Sequence, residues 1–231
     1  MKIAFFDTHV FEKPFFEKAN KLHNHTIVHL EPRLTPETAA LAEGCRAVCC
    51  FVNDKVNAET LKKLASHNVE LVALRSAGFN NVDLKEAEKF GIKVVRVPEY
   101  SPYAVAEHAV ALILTLNRKI HRASSRVHEG NFSLNGLVGF DLHGKTVGVI
   151  GTGKIGAILV RIMRGFGCEV LLYDQHKNEA LEKETGAKYV ELEALFQKSD
   201  IISLHVPLNP STRYLINEQA ISKMKKKCDD H

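Results

Sequence analysis

The 231-residue sequence predicts an α/β protein made of two successive units with parallel sheets. Three observations carry this reading. Short apolar runs alternate with longer amphipathic ones, the pattern of parallel strands joined by crossover helices. A proline-flanked segment, Pro98-Glu99-Tyr100-Ser101-Pro102, divides the series. A glycine-rich turn, Gly151 to Gly156, separates an apolar run from an amphipathic one.

In the first unit, residues 3–6, 26–30, 47–52, 71–74 and 92–97 read as strands, because each is a short β-branched or apolar run bounded by polar residues. Residues 11–22, 36–42, 58–66 and 84–90 between them read as helices. The boundary is expected near residue 100, giving units 1–100 and 101–231. Ser101 followed by Pro102 is an N-cap followed by a first-turn proline. A helix is therefore expected over 102–121, with Val105, His108, Ala109, Leu112 and Leu116 on one stripe. Residues 131–144 read as a loop and 146–150 as a nearly continuous apolar strand. The helix expected over 155–166 places Ile155, Ile158, Leu159, Ile162, Met163 and Phe166 on one core face. Strands over 170–173 and 201–206 and a short helix over 192–197 follow. Asn217 is expected to cap a last helix in which the chain ends.

Composition narrows the class. With 45% hydrophobic and 25% charged residues, 14 Gly and 7 Pro, the chain is neither collagen-like nor low-complexity nor disordered. The net charge of +4 requires no nucleic-acid partner. The basic groups Lys223, Lys225, Lys226, Lys227 and Arg118, Lys119, Arg122, Arg126 read as solvated helix faces. No apolar run approaches a bilayer span, and residues 1–7 read as a strand rather than a leader. Cys45, Cys49, Cys50, Cys168 and Cys228 show no CxxC spacing and fit reduced thiols of a cytoplasmic protein. No metal-ligand set is assigned.

Gly151-Thr152-Gly153-Lys154-Ile155-Gly156 is GxGxxG. The pattern alone is weak. Here it follows an apolar strand, opens an amphipathic helix, and precedes an acidic strand end, Asp174, eighteen positions after Gly156. That context points to a dinucleotide. Gly151 allows the tight turn, Gly153 allows backbone to approach a pyrophosphate, and Gly156 lets helix and strand pack closely. The helix N-terminus favours negative charge. Asp174 would accept hydrogen bonds from a ribose 2′-hydroxyl and repel a 2′-phosphate, favouring NAD over NADP. Lys177 is near enough to soften that preference or is simply solvated. His205 either borders the adenosine or is a hydrogen-bonded strand-end histidine. Thr212 could donate its hydroxyl to a phosphate.

These residues, with Arg75-Ser76-Ala77-Gly78-Phe79-Asn80-Asn81-Val82-Asp83, Val97-Pro98-Glu99-Tyr100-Ser101-Pro102, Ala106-Glu107-His108 and His205-Val206-Pro207, resemble the NAD-dependent D-2-hydroxyacid dehydrogenases. The resemblance covers about residues 1–226 and is nearest to the fermentative D-lactate dehydrogenase branch. It implies a flavodoxin-like substrate domain followed by a Rossmann NAD-binding domain, with the active site in a cleft. It implies that N–H groups around Ser76, Ala77 and Gly78 hold the substrate carboxylate and that Tyr100 borders the substrate. It also implies that Lys154, Ile155, Asp174, Val206, Pro207 and Thr212 contact NAD. The 102–121 helix would be a homodimer contact, although an ordinary core helix explains its stripe equally well.

The family's carboxylate-binding arginine and its glutamate–histidine pair come after the last helix read here, so no residue of the 231 is assigned a catalytic role. The Rossmann domain is therefore expected to be incomplete and residues 201–206 to form an exposed sheet edge. Lys227-Cys228-Asp229-Asp230-His231 departs from the family pattern. Removing one base from the adenine-rich lysine codons allows a Ser-Val-Met-Ile apolar reading. The expectation is a one-base insertion followed by early termination, with marginal stability and little lactate dehydrogenase activity. The gene's nucleotide sequence at codon 227 tests it. The alternative class is a non-catalytic NAD-binding or interaction module.

Overall fold

The computed structural model describes residues 1–226; the expectations about residues 227–231 lie outside the described residues. Two compact units are present, Met1–Tyr100 and Ser101 onward.

The first unit runs β1 (Lys2–Phe5), α1 (Lys13–Asn20), β2 (Thr26–His29), a 3₁₀ turn (Ala39–Ala42), β3 (Ala47–Cys50), α2 (Ala58–Ser66), β4 (Leu71–Leu74), α3 (Leu84–Lys89) and β5 (Lys93–Val95). The strands pair in parallel in the order β2-β1-β3-β4-β5, the flavodoxin-like order. The Asn57 side chain caps α2 by accepting from the Thr60 N–H, and Asp83 caps α3 by accepting from the Glu86 N–H. Leu61 and Leu64 of α2 then fall on one stripe and pack with Ala4, Val48 and Val72 from the sheet. The helix expected over 36–42 reduces to its last four residues.

The second unit runs α4 (Pro102–Arg118), α5 (Ile120–His128), β6 (Thr146–Ile150), α6 (Lys154–Gly165), β7 (Glu169–Tyr173), α7 (Glu179–Thr185), β8 (Lys188–Tyr189), α8 (Leu192–Lys198), β9 (Ile201–Leu204) and α9 (Glu218–Lys223). Its parallel order β8-β7-β6-β9 is one half of a doubly wound Rossmann sheet plus the strand across the switch point. Alternation along β6 sets the layers. Val147 and Val149 join Leu159, Met163 and Leu172 on the face that α4 and α6 cover. On the other face, Ile150 joins Leu195, Phe196 and Ala220 under α8 and α9. Gly148 lies on this face because a Cβ there would meet Leu195 and Ser199 at 2.5 Å.

Several expectations change. The helix over 102–121 stops at Arg118, where Lys119 turns left-handed (φ 50°), and restarts as the unanticipated α5. The side chain of Ser101 caps α4 from a bond to the Ala104 N–H, as its sequence implies. Most of the stripe lies on the surface, and only its Ala109 packs on the core. Ala106, Val110 and Asn117 are buried, whereas Leu112 and Leu116 are 50% and 68% exposed. Phe166 is likewise exposed, because α6 ends one residue earlier. Neither α7 nor β8 was anticipated. β9 is shorter than expected and only half-buried, pairing with β6 alone among the described residues. α9 ends at Lys223, so the chain does not end inside it.

The 131–144 loop is fastened to the helix joint. Asn117 Nδ2 donates to the Phe140 carbonyl at 2.7 Å while its Oδ1 accepts from the Phe140 N–H at 2.9 Å. Lys119 Nζ donates to the Val138 carbonyl, and Arg126 Nη1 donates to the Ser133 and Asn135 carbonyls.

Candidate functional site

Parallel strands deliver their C-terminal ends to one edge of the sheet, and in the second unit β6, β7 and β9 bring Gly151, Asp174 and His205 there. Gly151 leaves β6 at φ +93° and donates its N–H to the Tyr173 carbonyl at 2.8 Å. A Cβ at Gly151 would meet the His205 carbonyl oxygen at 2.5 Å, so strain and crowding both require glycine. A Cβ at Gly156 would overlap the Gly151 carbonyl oxygen, which fixes how closely α6 sits on the turn. Gly153 differs: a Cβ there meets nothing within 4 Å. Its lack of a side chain keeps open the approach to the N-terminus of α6, where Lys154 begins the helix. Beside it lies a groove of about 520 Å³ lined by Tyr103, Thr152, Gly153, Lys154, Arg161 and Asn178. Ile155 is half-buried and packs on the core, so its contribution to the rim is backbone.

Asp174 follows the last residue of β7. Its Oδ2 accepts from the Thr152 N–H at 2.6 Å and the Thr152 hydroxyl at 3.1 Å, and its Oδ1 accepts from the His176 N–H at 3.0 Å. Partial burial pushes its pKa up, but these hydrogen bonds outweigh burial and hold the carboxyl below its ordinary value. The group is an anion at neutral pH with acceptor capacity left on Oδ1. Lys177 lies with its Nζ 5.9 Å from the Tyr189 ring centroid.

After β9, the His205 N–H donates to the Ile150 carbonyl at 2.7 Å, and its Nε2 pairs with Ser203 Oγ at 2.9 Å. Burial lowers the His205 pKa. Val206 packs on the Ile150 cluster and Pro207 is exposed. The Thr212 hydroxyl donates to the Pro207 carbonyl and accepts from the Asn209 N–H. Its proton therefore closes the loop rather than pointing to a phosphate.

The remaining expected residues belong to the first unit. Ser76 is buried, and its hydroxyl donates to the Gly78 carbonyl at 2.7 Å, curling the 76–78 turn. Arg96 Nη1 donates to the Ala77 carbonyl at 3.0 Å, and the Val97 N–H donates to the Ser76 carbonyl at 3.1 Å. These bonds use the turn's carbonyls, and among the described residues its N–H groups are left for another acceptor, the arrangement an anion needs. Tyr100 is 58% exposed. Arg75, which opens the motif, is structural. Its guanidinium donates to Glu12 and to the Phe6 and Asp7 carbonyls and lies 4.1 Å from the Phe5 ring centroid.

Two residues of this neighbourhood escaped the sequence reading, Thr152 and Tyr189. Thr152 is the unnamed x of the glycine motif, and Tyr189 lies in a two-residue strand.

A strand, a glycine turn, a helix N-terminus and an acidic end to the next strand define a dinucleotide-binding α/β protein. The comparisons refine this. A model of the NAD binding domain of D-isomer specific 2-hydroxyacid dehydrogenases matches residues 110–228. A 2-hydroxyacid dehydrogenase homolog of Schizosaccharomyces pombe is 54% identical over 227 residues, covering 98% of this chain and 68% of its own length. The apo structure of D-lactate dehydrogenase from Escherichia coli superposes with a TM-score of 0.89 at 49% identity, covering 97% of this chain and 71% of that one. D-lactate dehydrogenase from Aquifex aeolicus, solved with NAD and lactic acid, superposes with a TM-score of 0.81 at 37% identity, covering 96% and 66%. The chain belongs to the D-isomer specific 2-hydroxyacid dehydrogenase family, and NAD is the cofactor of its second unit.

Proposed function

We propose that the chain is a D-lactate dehydrogenase-type oxidoreductase that binds NADH in its second unit and a small 2-oxo acid, pyruvate foremost, through its first. The observation that carries this is the Gly151–Gly156 turn with Asp174 held as an anion beside it. The open space over Gly153 fits a pyrophosphate, with Lys154 and Ile155 at the same helix start. Asp174 takes the adenosine ribose, and Val206 and Pro207 flank the adenosine side, with Thr212 bracing their loop. Bound NADH supplies a hydride. The N–H groups of Ser76, Ala77 and Gly78 hold the substrate carboxylate, and Tyr100 borders it.

In this reading the protein is cytoplasmic and fermentative, regenerating NAD. The described cysteines Cys45, Cys49, Cys50 and Cys168 are buried thiols, in keeping with a reducing compartment. Assembly is a homodimer through the 102–121 segment, whose apolar stripe is exposed. The arginine and the glutamate–histidine pair implied by the family resemblance have no counterpart among residues 1–226. In this reading the 231-residue polypeptide assayed by itself is weakly active.

Calorimetry with NADH and NADPH, alongside pyruvate-dependent NADH oxidation, tests this. The expected result is NADH binding preferred over NADPH with slow turnover. An absence of NADH binding sinks the cofactor assignment. Pyruvate reduction at an ordinary enzyme rate sinks the weakly active form.

A further inference from the structure

A chain of hydrogen bonds runs from a neighbouring helix into the Asp174 carboxylate. The Asn178 N–H donates to the Tyr189 hydroxyl oxygen at 2.7 Å. That hydroxyl lies 2.7 Å from Thr152 Oγ1. Thr152 Oγ1 lies 3.1 Å from Asp174 Oδ2. The direction of every proton follows from the ends. An ionised carboxylate only accepts, so Thr152 donates its single proton to Asp174. Thr152 Oγ1 must then accept from Tyr189, whose oxygen in turn accepts from Asn178. All three donors point toward the carboxylate, so each bond polarises the next.

The relay joins three separate elements. Tyr189 closes β8, Thr152 lies inside the glycine turn, and Asp174 follows β7. Asn178 is itself fixed as the N-cap of α7, its Oδ1 accepting from the Leu181 N–H at 3.1 Å. Both protons on Oδ2 come from Thr152, one from backbone and one from side chain. Oδ1 keeps free acceptor capacity beside the His176 N–H. The carboxylate is thereby turned so that the oxygen facing the turn is saturated and the other is presented to a ligand.

We propose that Tyr189 is a positioning residue for cofactor choice. Acting through Thr152, it orients Asp174 to receive a ribose diol and so sets the preference for a dinucleotide with a free 2′-hydroxyl over one with a 2′-phosphate. The proposal rests on the NAD reading above and deepens it. Lys177 Nζ lies 5.9 Å from the centroid of the same tyrosine ring.

The test measures NADH and NADPH dissociation constants by calorimetry on the intact chain. Tyr189→Phe keeps the ring and removes the hydroxyl, both the proton given to Thr152 and the acceptor of the Asn178 N–H. NADH affinity should fall about five- to ten-fold, the loss expected for one ordinary hydrogen bond, while NADPH affinity changes less. Thr152→Val should give the same loss of discrimination, Thr152→Ser should restore it, and Tyr189→Phe added to Thr152→Val should cost nothing further. A ratio of NADH to NADPH affinity unchanged in Tyr189→Phe, or additive losses in the double variant, overturns the relay. Asp174→Ala separates the two levels. If it leaves the ratio untouched, the ribose assignment itself fails and the relay falls with it. If it abolishes the preference while Tyr189→Phe does not, only the relay fails. Thermal unfolding of each variant confirms that a measured loss is not loss of fold.

Discussion

Arg75 Nε lies 2.9 Å from Glu12 Oε1, with the two side chains only 6% and 10% exposed. This ion pair fastens the loop after β1 to the end of β4, one residue before the Ser76–Gly78 turn. Removing one partner strands a buried carboxylate. Arg75→Met should cost about 3 kcal/mol or more in urea unfolding, and adding Glu12→Leu should recover part of it. Equal stability of Arg75→Met and the parent would contradict this account.

The two glycines of the turn should separate folding from binding. Gly156→Ala puts a methyl against the Gly151 carbonyl, and overpacking of that kind costs about 1–3 kcal/mol. Gly153→Ala meets open space, so its thermal midpoint should match the parent while NADH affinity falls at least several-fold. Unchanged NADH binding in Gly153→Ala would remove the pyrophosphate from this turn.

Stability should weaken in mild acid through His205. Burial lowers its pKa from 6.5. Above that value both states hold the ring neutral, and the stabilisation is complete. Below it the unfolded chain takes up the proton first, and stability falls until the folded ring titrates. In urea unfolding at pH 7.5 and 5.5, His205→Gln should lose less stability than the parent across the interval. An equal loss would show that His205 does not set the acid limb.

The exposed stripe on α4 should govern assembly. Leu112→Lys with Leu116→Lys places two charges on it without touching the buried Ala106 and Val110. Sedimentation should show the parent as a dimer and the variant as a monomer with an unchanged thermal signature. A variant that stays dimeric puts the interface elsewhere.

Much of the fold was legible because strands buried on both faces and long amphipathic helices leave strong periodic signals. The glycine turn and Asp174 were legible because backbone geometry leaves almost no other residue choice at Gly151 and Gly156. One miss was avoidable. Asn178 with Glu179 after it and Gly186 beyond is a capped helix written in plain residues, yet α7 was passed over. The stripe on α4 has the same period whether it faces a core or a partner, and period alone cannot choose. The others lay beyond local pattern. β8 has two residues and no measurable alternation, so Tyr189 carried no signal. The break at Lys119 is a left-handed residue that is not glycine, held by tertiary bonds that the sequence does not advertise.

Those bonds rank the 131–144 loop by how easily each part comes away. Arg126 and Lys119 grip it through solvent-exposed hydrogen bonds, where water competes for the same carbonyls. Asn117 is buried and holds Phe140 through both amide groups. Opening should therefore proceed as a zipper from the Ser133 end. In hydrogen exchange, the Phe140 amide should be the last of residues 133–140 to trade its proton, and it reports the lifetime of the α4–α5 joint itself.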